Sequence, residues 1–362
     1  NWPDTVFNFD ATMPSMRIGF FSDSYFPEVD GVTYTLNSWK ERLENRGHEV
    51  HIIYPESEDY SPDQNEIPIR SFPNPFYSGY NIPLPLFRDD YPELDIVHCH
   101  SPASLGISGL RYAKRKDVPA IYTHHTPIEE YFEQSVGSSI ISNFLKKIYV
   151  PLETYFLKKF DVLTASTSAS RRDLEFQELP VGIDMEFFRQ QKEDFFEGMG
   201  LEEPVVGYSG RISMEKNPTQ LLEMAEDFEG TVVIVGEGPL EEKIEKNKPE
   251  NVVKMDFIDR EELSKFYSSL DVFVTASTGD TLGLATLEAN SCGTPVVAPR
   301  VFPFEDTIGE NSGKLYEEGN MSDFRNMVNK AANLDLDTRD SVKKYSLSKT
   351  IDRLEKIYEE EV

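Results

Sequence analysis

Short β-branched runs, each closed by a turn and followed by a helical stretch, recur along almost the whole chain and leave few folds open. MRIGFFS (16–22), EVHIIYP (49–55), DIVHCH (95–100), VPAIYTH (118–124) and DVLTAS (161–166) form a first series. PVVGYSG (204–210), TVVIVGEG up to Gly238, NVVKMDF (251–257), DVFVTA (271–276) and TPVVAP (294–299) form a second. These runs are apolar without strict alternation, as strands are when helices cover both faces of a sheet. Helical stretches fall between them, near 33–45, 103–115, 217–228, 239–247, 260–269 and 282–292. A longer one over 128–159 is expected to be interrupted at Pro151. The Pro- and Asp-rich residues 56–92 give no assignment. The alternation predicts an α/β chain of two doubly wound, Rossmann-like units.

We expect an N-terminal extension over residues 1–15, a first domain over 16–180 and a second over 181–345. A last helix covers 346–362, and its face of Ile351, Leu354 and Ile357 must pack against something, the first domain being a candidate. Ligands of such sheets bind at the carboxyl ends of the strands, and two facing units would place theirs across one cleft.

The net charge of −28, from 64 acids against 36 bases, excludes the basic footprint that nucleic acid requires. It suits solvation in strong salt, so a salt-adapted cytoplasm is expected. Neither a secretory leader nor an apolar run of membrane-spanning length is present in the sequence. Cys99 and Cys292 have no metal or redox spacing and read as buried packing residues.

The densest chemistry lies between Ser277 and Pro299, STGDTLGLATLEANSCGTPVVAP. Asp280 and Glu288 stand eight positions apart, with a helix expected to begin near Thr281 to Leu284. A helix N-terminus offers unpaired N–H groups and a positive dipole end, so two acids beside it suit a ligand with both hydroxyls and phosphates. A nucleotide-sugar is such a ligand. In GYSGRISMEKN (207–217), Arg211 and Lys216 lie five apart on a loop after a strand, so both can reach one anionic group.

With these motifs in place, the chain resembles the retaining glycosyltransferases of the GT-B fold, family 4, over essentially everything from Met16 to the last helix. The matching residues are FPEVDGV (26–32), HSP (100–102), the HT at 125–126, GID (182–184), GRISMEKN, VGEGP (235–239) and the acid pair with LEANSCGTPVVAP. The resemblance implies that Arg211 and Lys216 hold the donor diphosphate and that Glu288 binds the ribose. It implies that Asp280 contacts the transferred sugar, helped by backbone N–H groups over Thr281, Leu282, Gly283 and Leu284. Gly31 and Gly210 would let loops approach the phosphates, Glu237 would belong to the nucleotide site, and the base would lie near Phe257 and Ile258. His125 would hydrogen-bond the sugar near the reacting centre, with His100 and Thr126 on the acceptor side. The first acid is usually Glu in this family; Asp280, one methylene shorter, implies an altered donor geometry.

No cofactor is expected beyond the donor, a UDP- or GDP-sugar, and no metal. His98 and His100 would share a strand face, but no carboxylate or cysteine spacing completes a metal site. Residues 138–160 carry Ile140, Ile141, Phe144, Leu145 and Ile148 at helical spacing beside Lys146, Lys147, Lys158 and Lys159. Such a helix is either ordinary core with a solvated edge or an interfacial helix on an anionic bilayer. THHTPIEEYF resembles glycolipid-forming members such as diacylglycerol glucosyltransferases, which favours a lipid or lipid-linked acceptor at the inner face of the cell membrane. The alternatives are a non-catalytic GT-B scaffold and another GT-B enzyme such as a sugar-nucleotide epimerase.

Overall fold

A computed structural model describes residues 14–28, 30–74, 81–84, 91–125, 139–166, 174–334 and 336–362. The chain divides into two compact units, one comprising the residues up to Leu179 together with Ile351–Val362, the other Pro180–Thr350.

The first unit contains β1 (Arg17–Phe21), α1 (Gly31–Asn45), β2 (Glu49–Pro55), β3 (Glu66–Ile69), β4 (Ser71–Pro73), β5 (Asn81–Pro83), β6 (Ile96–Cys99), α2 (Ser104–Lys116), β7 (Ala120–His124), α3 (Ser139–Leu157), β8 (Val162–Ala165) and β9 (Gln177–Glu178). Its sheet runs β3-β2-β1-β6-β7-β8-β9. All its pairings are parallel. The second unit contains β10 (Val205–Ser209), α4 (Pro218–Ala225), β11 (Thr231–Val235), α5 (Glu241–Asn247), β12 (Val252–Met255), α6 (Arg260–Ser268), β13 (Val272–Val274), α7 (Leu284–Ser291), β14 (Val296–Pro299), α8 (Phe304–Thr307), β15 (Gly313–Tyr316), α9 (Met321–Ala332) and α10 (Thr338–Ser341). Its sheet, also parallel, runs β12-β11-β10-β13-β14-β15. In both sheets the winding reverses beside the first strand, at β1/β6 and at β10/β13. These are the switch points at which a doubly wound sheet opens a crevice.

The central strands of both sheets are buried on two faces. β11 is buried at all five positions, with Val232 and Ile234 in one core layer and Val233 and Val235 in the other. Close helix approach needs small residues: a Cβ on Gly109 would come within 2.8 Å of the Phe21 ring, and one on Gly106 would meet the Ser101 carbonyl.

Two expectations are corrected. Residues 56–92 hold three short strands, β3 extending the large sheet and β4 and β5 forming an antiparallel pair. Their prolines at 68, 73 and 83 hid them, since proline weakens a strand signal yet is tolerated at sheet edges. Second, α3 continues through Pro151 instead of stopping there. Pro151 is exposed, so the carbonyl whose partner it removes can turn to water. α7 starts at Leu284, after Gly283 at φ 76°, at the late end of the expected range.

α11 (Leu347–Glu361) begins with the second unit and passes to the first at Ile351. Within the first unit Arg46 pairs with Glu355 and, at 2.7 Å, with Asp352, while His48 Nε2 lies 3.1 Å from Glu355 Oε1. Glu355 is almost fully buried, and burial raises its proton affinity, but His48 and Arg46 together bring the carboxyl below its usual range. Tyr358 Oη lies 2.7 Å from His98 Nδ1.

Breaking such a buried pair leaves an uncompensated charge. Glu355→Ala is therefore expected to destabilise the first unit by about 3 kcal/mol, read from urea unfolding followed by fluorescence of buried Trp39. An unchanged midpoint would exclude the clasp as a stabilising element.

Candidate functional site

In the second unit, two loops leave the switch point and fasten to each other. The first follows β10 and ends in a single 3-10 turn, Met214–Lys216, closed by Asn217 at φ 47°. The second follows β13. Thr278 N donates to the Glu215 carbonyl at 3.2 Å, and Asn217 Nδ2 donates to the Ala276 carbonyl at 3.1 Å. Gly279 passes so close that a Cβ there would lie 3.3 Å from that of Glu215. These contacts bring Lys216 and Asp280 together across 64 residues of sequence, Nζ donating to Oδ1 at 2.6 Å.

A third loop, after β11, supports the first. Gly210 N donates to the Val235 carbonyl at 3.1 Å and Ile212 N to the Glu237 carbonyl at 2.8 Å. Only glycine fits here. Gly236 has φ 132° and a Cβ would fall 2.0 Å from the Gly210 carbonyl oxygen; Gly238 has φ 156° and would strike the Ile212 carbonyl. The result is a bed of closely packed backbone at the ends of β10 and β11, with Arg211 and Glu237 exposed on it.

α7 opens beside this bed. Gly283 carries no side-chain cap for the helix, and its carbonyl accepts from Thr286 N at 3.0 Å and Thr286 Oγ1 at 2.6 Å. With Thr286 N engaged there, an approaching anion would meet the N–H groups of Leu284 and Ala285. Leu282 is buried in the core, and Leu284 packs partly against it, so their side chains are turned to the core and only their backbone could meet a ligand. Thr281 is half-buried; Phe257, at the end of β12, is 57% exposed, with Ile258 packed on the core behind it.

Glu288 lies one turn into α7. Although the residue keeps some surface, its carboxyl is desolvated, which pushes it up to about 7 against the opposing pull of Arg260 and Tyr267. Tyr267 Oη donates to Glu288 Oε2 at 3.2 Å and lies 2.8 Å from Ser209 Oγ. Neither Tyr267 nor Ser209 stood out in the sequence: in KFYSS the tyrosine reads as an ordinary core position, and it does pack in the core, with only its hydroxyl reaching the acid.

In the first unit, the ends of β1, β6 and β7 gather the other candidates. Gly31 is the exposed first residue of α1, whose N-cap Asp30 accepts from Thr33 N at 2.8 Å and from Ser24 Oγ at 2.7 Å. His100 and His125 follow β6 and β7, their rings stacked at 5.2 Å between centroids with Nδ1 of the first 3.0 Å from Nε2 of the second. His100 is 5% exposed, enclosed by Phe20, Trp39 and His98, so it stands behind His125 rather than open to a ligand. Burial holds both imidazoles neutral, His125 down to about 4. Thr126 lies outside the described residues. Cys99 and Cys292 are buried free thiols, and among the described residues no group of three His, Cys, Asp or Glu could hold a metal ion.

Family models match both halves of the chain. Residues 29–180 match the family described as Glycosyltransferase Family 4, and residues 189–349 match Glycosyl transferases group 1. The chain is 27% identical over 348 residues to the alpha-monoglucosyldiacylglycerol synthase of Acholeplasma laidlawii, covering 86% of this chain and 87% of that one. It is 29% identical over 317 residues to the enzyme of the same name from Streptococcus pneumoniae, covering 78% and 71%. Among solved structures, sucrose-phosphate synthase from Thermosynechococcus elongatus superposes with a TM-score of 0.76 at 19% identity, over 95% of this chain and 98% of that one. Anabaena HepE in complex with UDP gives 0.73 at 16% identity, over 95% and 100%.

The raised Glu288 carboxyl has a stability consequence whose sign is fixed. From pH 4.5 to 7 the unfolded chain ionises this group freely while the folded chain resists, so its contribution to stability falls over that window and then levels. Glu288→Gln should gain on the wild type by about 3 kcal/mol across it, seen as a difference in thermal midpoint that grows to pH 7. A pH-independent difference would place the titration elsewhere.

Proposed function

Because this chain belongs to the GT-B glycosyltransferases, family 4, we propose that it moves a hexose from a UDP- or GDP-sugar to an acceptor hydroxyl with retention of the anomeric configuration. The observation that carries the reading is the Lys216–Asp280 pair held on a glycine bed beside the open N-terminus of α7 and Glu288. One cation, a set of backbone donors and two acids fit the parts of a nucleotide-sugar: diphosphate, sugar hydroxyls and ribose. Glu288 accepts from the ribose, which favours its ionised form, and Tyr267 steadies the carboxylate. Phe257 offers an exposed ring where the base would lie.

In the absence of donor, Asp280 neutralises Lys216. When the diphosphate arrives Lys216 turns to it, joined by Arg211, and Asp280 is released to accept from the sugar. As the bond from the anomeric carbon to the phosphate oxygen breaks, charge grows on the diphosphate, and fixed cations and N–H dipoles lower the barrier there. The leaving oxygen takes the acceptor's proton on the face that the acceptor attacks, so neither a covalent nucleophile nor a metal is required. His125, neutral, hydrogen-bonds the transferred sugar. Asp280, shorter than the usual Glu, sets which sugar is accepted.

The acceptor we assign is a membrane lipid. Phe144, Ile148, Leu152 and Tyr155, at 63%, 48%, 63% and 66% exposure, form one stripe along α3, since steps of 4, 4 and 3 residues keep to one side of a helix. Lys147, Lys158 and Lys159 are exposed beside them, with Lys159 Nζ 4.1 Å from the Tyr155 ring centroid. An apolar stripe with basic borders, in a chain of charge −28, suits the interface of an anionic bilayer. Among the described residues no helix is long and apolar enough to cross one. The diacylglycerol named for the two enzymes above supports the same acceptor class, and the cytoplasmic face of the membrane is the location that goes with this reading.

Lys216→Ala should lower turnover by about a hundredfold or more with the fold intact by circular dichroism; near-normal transfer would remove the phosphate clamp. Phe144→Glu with Leu152→Glu should weaken sedimentation with phosphatidylglycerol vesicles by about tenfold or more while leaving donor hydrolysis in solution unchanged. Equal vesicle binding would remove the α3 surface from the assignment.

A further inference from the structure

The imidazoles of the first unit form two hydrogen-bonded sets whose proton positions can be deduced. In the first, Thr164 Oγ1 donates to the Tyr122 carbonyl at 3.3 Å, so it accepts from Thr123 Oγ1 at 2.6 Å. Thr123 then accepts from His98 Nε2 at 2.6 Å, and His98 Nδ1 is left to accept from Tyr358 Oη at 2.7 Å. His98 thus carries its proton on Nε2, fully paired.

His100 is different. Its Nδ1 faces His125 Nε2 at 3.0 Å, while its buried Nε2 finds no partner among the described residues. Two neutral arrangements exist. If His125 donated, the His100 proton would sit on Nε2, a buried N–H with nothing to accept it, and orphaned buried donors are the rarest of unpaired groups. If His100 donates from Nδ1, only a lone pair is left unpaired. The second arrangement wins, and its consequence passes to the neighbour: His125 accepts at Nε2 and must carry its own proton on Nδ1. Protonating both rings is not available, since burial depresses both, His98 and His125 add to it at His100, and Asp30 offsets only part of it at His125.

We propose that His100 is a positioning residue that donates to His125 Nε2, fixes His125 as its Nδ1–H tautomer, and so leaves that N–H as the donor His125 presents to the transferred sugar. The packing serves the same end. Trp39 lies tilted or edge-on to His98, His100 and His125 with centroids 6.0, 5.8 and 6.5 Å away, and Phe20 meets His100 edge-on at 5.0 Å, so the aromatic packing restrains the His100 ring. An imidazole in the other tautomer would face a sugar oxygen with a lone pair, and the hydrogen bond would be lost. The catalytic half of the inference rests on the role given to His125 above; the tautomer does not.

The test is long-range proton–nitrogen correlation NMR on 15N-histidine-labelled protein at pH 7, with turnover measured on the same samples. In the wild type His125 should show a protonated Nδ1 and an unprotonated Nε2. His100→Phe, which fills the space without a donor, should release His125 to the Nε2–H form that free histidine prefers and lower kcat about tenfold or more, with UDP affinity unchanged. His100→Asn, whose amide can donate from nearly the same place, should keep the Nδ1–H form and most of the turnover. A wild-type His125 protonated on Nε2 overturns the proposal even if neither variant folds, as does a tautomer unmoved in His100→Phe. A switched tautomer with normal kcat overturns the positioning role. Full turnover in His125→Ala would instead remove the reading of His125 as a sugar contact and leave the tautomer assignment standing.

Discussion

Parallel pairing governs this protein. Parallel strands need a crossover between each pair, the crossover helices cover both faces, and every strand therefore delivers its carboxyl end to one edge of its sheet. Loops bearing Lys216, Glu237 and Asp280, and the helix bearing Glu288, share one edge because β10, β11 and β13 run the same way, not because the residues are near in sequence. The same rule in the first unit sets Gly31, His100 and His125 at the ends of β1, β6 and β7. Reversal of the winding at β10/β13 separates the helices that would otherwise close over the strand ends, and Lys216 meets Asp280 in that gap.

Charge is handled locally against a global excess of acid. The net charge of −28 would repel a nucleoside diphosphate at long range, and salt screening shortens that range to about 8 Å at 0.15 M. Within it, the anion would meet one lysine, one arginine and a helix end. Two carboxyl groups in the neighbourhood cost little in repulsion: Asp280 already shares its charge with Lys216, and Glu288 is drawn toward its neutral form by burial. The imidazoles follow the same economy, remaining neutral so that they can act as directional hydrogen-bond groups rather than charges.

Much of this was readable along the chain. Apolar runs with no alternation announced both sheets, and the buried β11 shows why: it is covered on both faces and has no polar side to display. Glycines in VGEG and at Gly283 signalled tight backbone, and each is required by a positive φ or by a carbonyl within 2.5 Å of the absent Cβ or a ring within 2.7 Å. Where proline was read as a breaker, the reading went astray. Pro151 sits within α3 on its wet side, and the prolines of β3 to β5 lie in short strands at the margin of the fold. Propensity is a local quantity, and solvent can take up a hydrogen bond that proline removes.

The residues that brace the site were beyond the reach of sequence. Motif spacing singled out Arg211, Lys216, Asp280 and Glu288 as candidates for one site, because residues of these types suit phosphate and hydroxyl groups. It could not show that Lys216 rests on Asp280, that Tyr267 reaches Glu288 through its hydroxyl, or that His100 backs His125. Each of those pairs joins segments 21 to 64 residues apart, and each depends on which neighbour occupies a buried direction. Residue type and period are written in the chain. The partner of a buried polar atom is decided only when the sheets and their helices have packed, since packing removes water and leaves each such atom only the neighbours that the fold supplies.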